Sequence, residues 1–117
     1  MGNFVTPTDS FERKVKRLIK KFHTLKDTLY ELEDALIENP YLGENLGNNS
    51  YKIRVADKSK GKGKSGGFRV ITYLVNIQDT SIEILLLTIY DKSENESIEL
   101  KKIKEIIKEV VFQRRNL

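Results

Sequence analysis

The chain has 117 residues, 38% apolar and 32% charged, which suffices for one domain over residues 1–117 and leaves no room for a second. With no cysteine and one histidine, a disulfide framework, a zinc–thiolate site, a histidine-pair ribonuclease and a Cys-His nucleophile are excluded by counting, and no Ser-His nucleophile is expected. The net charge of +4 is concentrated: residues 51–75 carry seven basic groups against one acid, Asp57, while the other 92 residues hold 14 basic and 16 acidic groups. A single basic patch of this kind is how a phosphate-binding surface is built.

Phe4 and Val5, ahead of Pro7, predict a short edge strand. The opening Met1-Gly-Asn-Phe-Val5 lacks the charged-then-apolar order of a signal peptide, and no apolar run reaches the ~18 residues of a membrane span, so a cytoplasmic protein is expected. Gly2 and Thr6 meet the formal myristoylation pattern, but no basic cluster or second lipid site lies nearby to support an anchor. Phe11, Val15, Leu18, Ile19 and Phe22 then recur at helical spacing, with Asp9 and Glu12 resembling a capping box at the start. A second helix follows, with Thr24 as N-cap and Leu25, Leu29, Leu32 and Leu36 on one face, and Asn39-Pro40 ends it. The two helices read as an αα-hairpin whose apolar stripes pack against a sheet.

Residues 40–49 read as a loop, after which the period changes to two: Tyr51, Ile53 and Val55 alternate with Lys52 and Arg54. Lys58, Lys60, Lys62 and Lys64 then stand at alternate positions in a glycine-rich loop. That loop has two readings, a cation cluster for a polyanion and a solvated hairpin tip. Phe68 to Ile77 and Ile82 to Tyr90 predict two further strands, joined by a turn at Gln78-Asp79-Thr80. Ser93 with Glu96 opens a last helix carrying a stripe of Ile98, Ile103, Ile106, Ile107, Val110 and Val111. The order β-α-α-β-β-β-α predicts an α+β fold, an antiparallel sheet with an N-terminal αα-hairpin and a C-terminal helix packed on it.

Gly61-Lys-Gly-Lys-Ser65 superficially resembles the end of a P-loop. That motif needs a glycine where this chain has Lys58 and a helix where it has a strand, so a nucleoside-triphosphate site is not expected. The acids are spread over helix surfaces, and His23 falls at the end of the first helix, so neither a metal site nor a cofactor is expected. What remains is a set of cations and phenols: Arg54, the four loop lysines, Arg69, Tyr73, Tyr90 and Lys92. On a strand Arg69, Ile71 and Tyr73 share one face. Each also has a structural reading, such as an Arg69–Asp57 ion pair or Tyr73 and Tyr90 as core aromatics.

Tyr51-Lys-Ile-Arg54, Gly63-Lys-Ser-Gly-Gly-Phe-Arg-Val-Ile-Thr-Tyr73 and Leu87-Thr-Ile-Tyr-Asp-Lys-Ser-Glu94 together resemble the RelE/HigB-like toxins of bacterial type II toxin–antitoxin systems. The resemblance extends along nearly the whole chain. It implies a RelE-like fold and an endoribonuclease that cuts messenger RNA on the ribosome, inhibits translation and is held inactive by a cognate antitoxin, expected to be of helix-turn-helix type. Arg69, Tyr90 and Lys92 are the catalytic candidates, with Arg69 clamping phosphate and Tyr90 or Lys92 exchanging protons. Arg54, Lys58, Lys60, Lys62, Lys64 and Tyr73 are the RNA-binding candidates. The alternatives are a ParE-like inhibitor of DNA gyrase, which shares the fold, and a non-catalytic nucleic-acid-binding module.

Overall fold

Three consecutive segments of strand periodicity and two apolar helical stripes fold as an α+β sandwich. The computed structural model describes residues 2–58, 67–78, 80–92 and 100–115. Its elements are β1 (Phe4–Pro7), α1 (Asp9–Lys21), α2 (Leu25–Glu38), β2 (Glu44–Gly47), β3 (Ser50–Val55), β4 (Phe68–Gln78), β5 (Ser81–Asp91) and α3 (Leu100–Arg115). The sheet order is β1-β5-β4-β3-β2. β2 through β5 form an antiparallel meander, whereas β1 runs parallel to β5, with Val5 opposite Ile84, so the sheet is mixed.

β2 lies inside the stretch expected to be a loop. Gly47 pairs with Ser50 across a two-residue connection, Asn48-Asn49, whose φ values are +53° and +62°. Positive φ at both central positions is what a type I′ hairpin turn requires, and asparagine tolerates it better than other residues with a side chain. The first helix is capped by Thr8, not Asp9. The Thr8 hydroxyl oxygen accepts from the Phe11 amide at 3.2 Å, while the hydroxyl itself donates to the Leu86 carbonyl at 2.9 Å, so one residue starts the helix and ties it to β5.

The two sheet faces are covered differently. Phe11, Phe22, Leu25, Leu29, Leu32 and Leu36 of the αα-hairpin pack on Ile53, Val55, Phe68, Val70, Ile84 and Ile89. All four leucines of the second helical stripe are therefore core. The opposite face carries a smaller cluster of Ile71, Leu85, Leu87 and Tyr90, closed by Ile103 of α3 with Ile106, Ile107 and Val110 half-buried around it. Toward the far end of that helix Arg114 donates to the buried Glu83 at 2.6 Å and holds α3 to β5. The expected helix opening at Ser93 and Glu96 lies outside the described residues.

Asp57 fixes the hairpin to the end of β3. Its carboxylate is 4% exposed and accepts from Thr24 Oγ1 at 2.9 Å and Thr28 Oγ1 at 2.6 Å. Thr24 is the N-cap residue of α2, as expected, but its hydroxyl is directed at Asp57 and makes no side-chain cap bond. Asp57→Asn keeps the shape but removes the charge and one acceptor, so it is expected to cost about 1.5 kcal/mol, the scale of one charge-assisted hydrogen bond. Urea unfolding of the variant should show a lower midpoint with an unchanged slope.

Candidate functional site

The strand register assembles the site. Arg54 on β3 lies opposite Arg69 on β4, and Arg69 lies opposite Tyr90 on β5. Adjacent strands are about 4.8 Å apart, so the three residues form a row roughly 10 Å long across the sheet. Because Ile53, Val55, Phe68, Val70 and Ile89 face the αα-hairpin, alternation puts this row on the opposite face, where α3 packs.

Exposure grades along the row. Arg54 is exposed, Arg69 is 4% exposed and Tyr90 is 7% exposed. The Arg69 guanidinium donates from Nη1 to the Phe68 carbonyl at 3.2 Å. Burial, followed by repulsion from Arg54, holds its pKa below the ordinary arginine range, while the anionic form of Tyr90 acts in the other direction. An arginine remains protonated at neutral pH even so. The consequence is a desolvated positive charge beside a phenol, with a second, solvated arginine at the outer end.

Lys92 stands one residue beyond β5, half-buried, and its amide donates to the Gly67 carbonyl at 3.0 Å. Gly67 is itself pressed against β3: a Cβ at this position would lie 2.1 Å from the Val55 carbonyl oxygen. The chain therefore enters β4 at a point where only glycine fits, and Phe68 and Arg69 follow immediately. Lys58 is exposed, next to the buried Asp57, and Lys60, Lys62 and Lys64 lie outside the described residues.

Tyr73 shares the face of Arg69 but sits four residues further along β4, roughly 13 Å away. It is half-buried in the α3-side cluster and faces Ser50 and Leu85 across the sheet. The structure thus gathers Arg54, Arg69 and Tyr90, ties Lys92 to Gly67, and sets Tyr73 apart along β4 within the same α3-side cluster that holds Tyr90. His23 is exposed just past α1. Among the described residues, no three His, Cys, Asp or Glu side chains gather as a metal site would require, and no helix is long and apolar enough to cross a membrane.

Two residues of this region were not legible from sequence spacing. Lys14 of α1 donates from Nζ to Thr88 Oγ1 at 2.7 Å, and Thr88 lies two residues before Tyr90 on β5. The period-two relation of Thr88 to Tyr90 was available, but nothing local connects position 14 with position 88. A separate groove of about 630 Å³ runs between α1 and α2, floored by Phe11, Val15, Ile19 and Leu29 and rimmed by charges of both signs. It lies on the αα-hairpin side, away from the row.

No family model matches the chain. The assignment of a function therefore rests on the row and on the residues that surround it.

Proposed function

We propose that this protein is a RelE/HigB-like toxin, a cytoplasmic endoribonuclease that cuts ribosome-bound messenger RNA without a metal ion and is restrained by a cognate antitoxin. The observation that carries the reading is the Arg54–Arg69–Tyr90 row, in which two cations and a phenol from three strands share one face. Binding alone calls for cations. A phenol placed directly beside a desolvated guanidinium supports proton transfer at a phosphate.

In this chemistry the RNA 2′-oxygen attacks the adjacent phosphorus while the bond from phosphorus to the 5′-oxygen breaks, leaving a 2′,3′-cyclic phosphate and a 5′-hydroxyl. One protein group takes the 2′-proton and another protonates the departing 5′-oxygen. Tyr90 and Lys92 are the two groups that supply these roles. Arg69 is suited to the negative charge that builds on the non-bridging oxygens, because its fork holds two oxygens and its desolvation strengthens its field. Arg54 adds positive potential at the solvent end.

The deciding experiment is induced expression followed by mapping of messenger-RNA ends, repeated with purified ribosomes and then with excess chelator once ribosome integrity is maintained separately. Cuts bearing 5′-hydroxyls, within translated regions and persisting in chelator, are the expected result. Unbroken messenger RNA together with inhibited gyrase would replace this reading by the ParE-like one.

The basic loop supplies a second test. Replacing Lys58, Lys60, Lys62 and Lys64 together by glutamine should flatten the salt dependence of RNA binding, since each phosphate contact contributes about 0.7 to the slope of log K against log salt for a single strand. An unchanged slope would identify the loop as a solvated tip.

A further inference from the structure

β1 ends at the Pro7–Leu86 pair, so among the described residues no strand pairs with the outer side of the last residues of β5. Thr8 bonds Leu86 and Leu87 at this boundary and α1 takes over the edge. That substitution of a helix for a strand lets a long side chain reach round the edge. Lys14 does so, and its ammonium lies 2.7 Å from Thr88 Oγ1. Thr88 is fully buried and shares the face of Tyr90, about 7 Å along the strand, because no register break separates them.

The surroundings of Lys14 are cationic. Arg17 follows it by one helical turn, and Lys102 approaches from α3. Burial and repulsion from these two neighbours hold the Lys14 pKa below the ordinary lysine range. Among the described residues no carboxylate pairs with Lys14, whose one hydrogen-bond partner is a neutral hydroxyl. A groove along α1 continues the same charge through Arg13, Lys16 and Lys20. Three cations converging from two helices, with no acid between them among the described residues, repel one another, and that repulsion works against the hydrogen bond from Lys14 to the buried Thr88 hydroxyl. An anion seated among them would turn the repulsion into attraction.

We propose that Lys14, Arg17 and Lys102 form a phosphate subsite that takes a neighbouring phosphodiester of the same single-stranded RNA whose scissile phosphate lies at Arg69. The strand then runs from α1 over the end of β5 to the Arg69–Arg54 row. The occupant rests on the ribonuclease reading, whereas the subsite itself rests on the side chains around Thr88.

The test uses the full chain and a 2′-O-methyl RNA 12-mer, which binds but cannot be cut, so that binding is separated from chemistry. Anisotropy titrations at several salt concentrations compare the parent protein with Lys14→Gln, Arg17→Gln and a charge-matched control on α2, Lys26→Gln. Lys14→Gln and Arg17→Gln should each weaken binding about five-fold at 0.1 M salt and lower the salt slope by about 0.7 relative to the parent, with Lys26→Gln changing neither. The melting temperature of Lys14→Gln should equal or exceed that of the parent, since a self-repelling charge has gone. The RNA should also raise it less than it raises the parent's.

Unchanged affinity and slope in both variants would overturn the subsite, as would effects matched by Lys26→Gln. A lowered melting temperature with an unchanged slope would make Lys14 a structural lysine. Duplex DNA bound with the same Lys14 dependence, and RNA not bound, would overturn the choice of occupant. A parent protein that binds RNA through Lys14 yet cuts no messenger RNA would sink the ribonuclease reading while leaving the subsite standing.

Discussion

Arg69→Ala is expected to leave a folded protein that cleaves ribosome-bound messenger RNA roughly 100-fold more slowly or worse, the scale for removing one preorganised charge donor. The expectation follows from the position of the residue. Arg69 is the middle member of the cross-strand row, 4% exposed, in the central part of a five-stranded sheet, with β-partners on both sides. Its backbone is therefore fixed by two ladders, and its charge requires no reorganisation as negative charge develops on the phosphate. Folding should survive because burial and the neighbouring Arg54 both work against this charge, offsetting the packing that alanine removes. Arg69→Lys should stay well below the parent, since an ammonium cannot present the same two-pronged fork. Single-turnover cleavage and thermal unfolding, measured on the same samples, separate the outcomes. A variant that unfolds identifies Arg69 as a structural cation, and one that folds and cleaves at the parent rate moves the chemistry away from the row.

Periodicity reported the elements with long, strong patterns. The leucine stripe of α2, the alternation in β3 and the apolar run of β5 all occur where the sequence places them, because each pattern arises from which face of a single element is buried. β2 was missed because Glu44-Asn-Leu-Gly47 has little strand propensity of its own, and it is held in the sheet by the Asn48-Asn49 turn. The parallel pairing of β1 was also hidden. Val5 and Ile84 are far apart in sequence, and alternation within a strand carries no information about its partner.

The same distinction governs the site. Arg69 and Tyr73 were correctly placed on one face, since that depends only on spacing along β4. That Arg54, Arg69 and Tyr90 stand in register, and that Tyr73 and Tyr90 share the α3-side cluster, depends on strand pairing and on where the last helix crosses. Lys14 escaped notice for a similar reason, since its contact with Thr88 exists because β1 is only four residues long and leaves an edge for α1 to occupy.

Gly67→Ala is expected to lower both stability and activity, by about 3 kcal/mol for the former, the upper part of the range for a substitution that overfills a packed site. The added methyl would stand 2.1 Å from the Val55 carbonyl oxygen and 3.2 Å from the Ala56 Cα. Both are backbone atoms. A flexible side chain can swing away from an intruding methyl, but here β3 and β4 must separate at their paired ends, where Val55 lies opposite Phe68. Phe68 is fully buried and packs edge-to-face on Phe22 with ring centroids 5.1 Å apart, so its displacement also loosens the contact between sheet and hairpin. The bond from the Lys92 amide to the Gly67 carbonyl, 3.0 Å long, would be strained by the same movement, and with it the position of Lys92 relative to Arg69. Denaturant unfolding should give a lower midpoint. Cleavage measured well below that midpoint, where the variant is fully folded, should still fall by at least about ten-fold, because a shift of 1 Å at a reacting group is enough for a loss of that size or greater. Full activity in the folded variant would show that the β4 entrance serves stability alone and that the row does not depend on it.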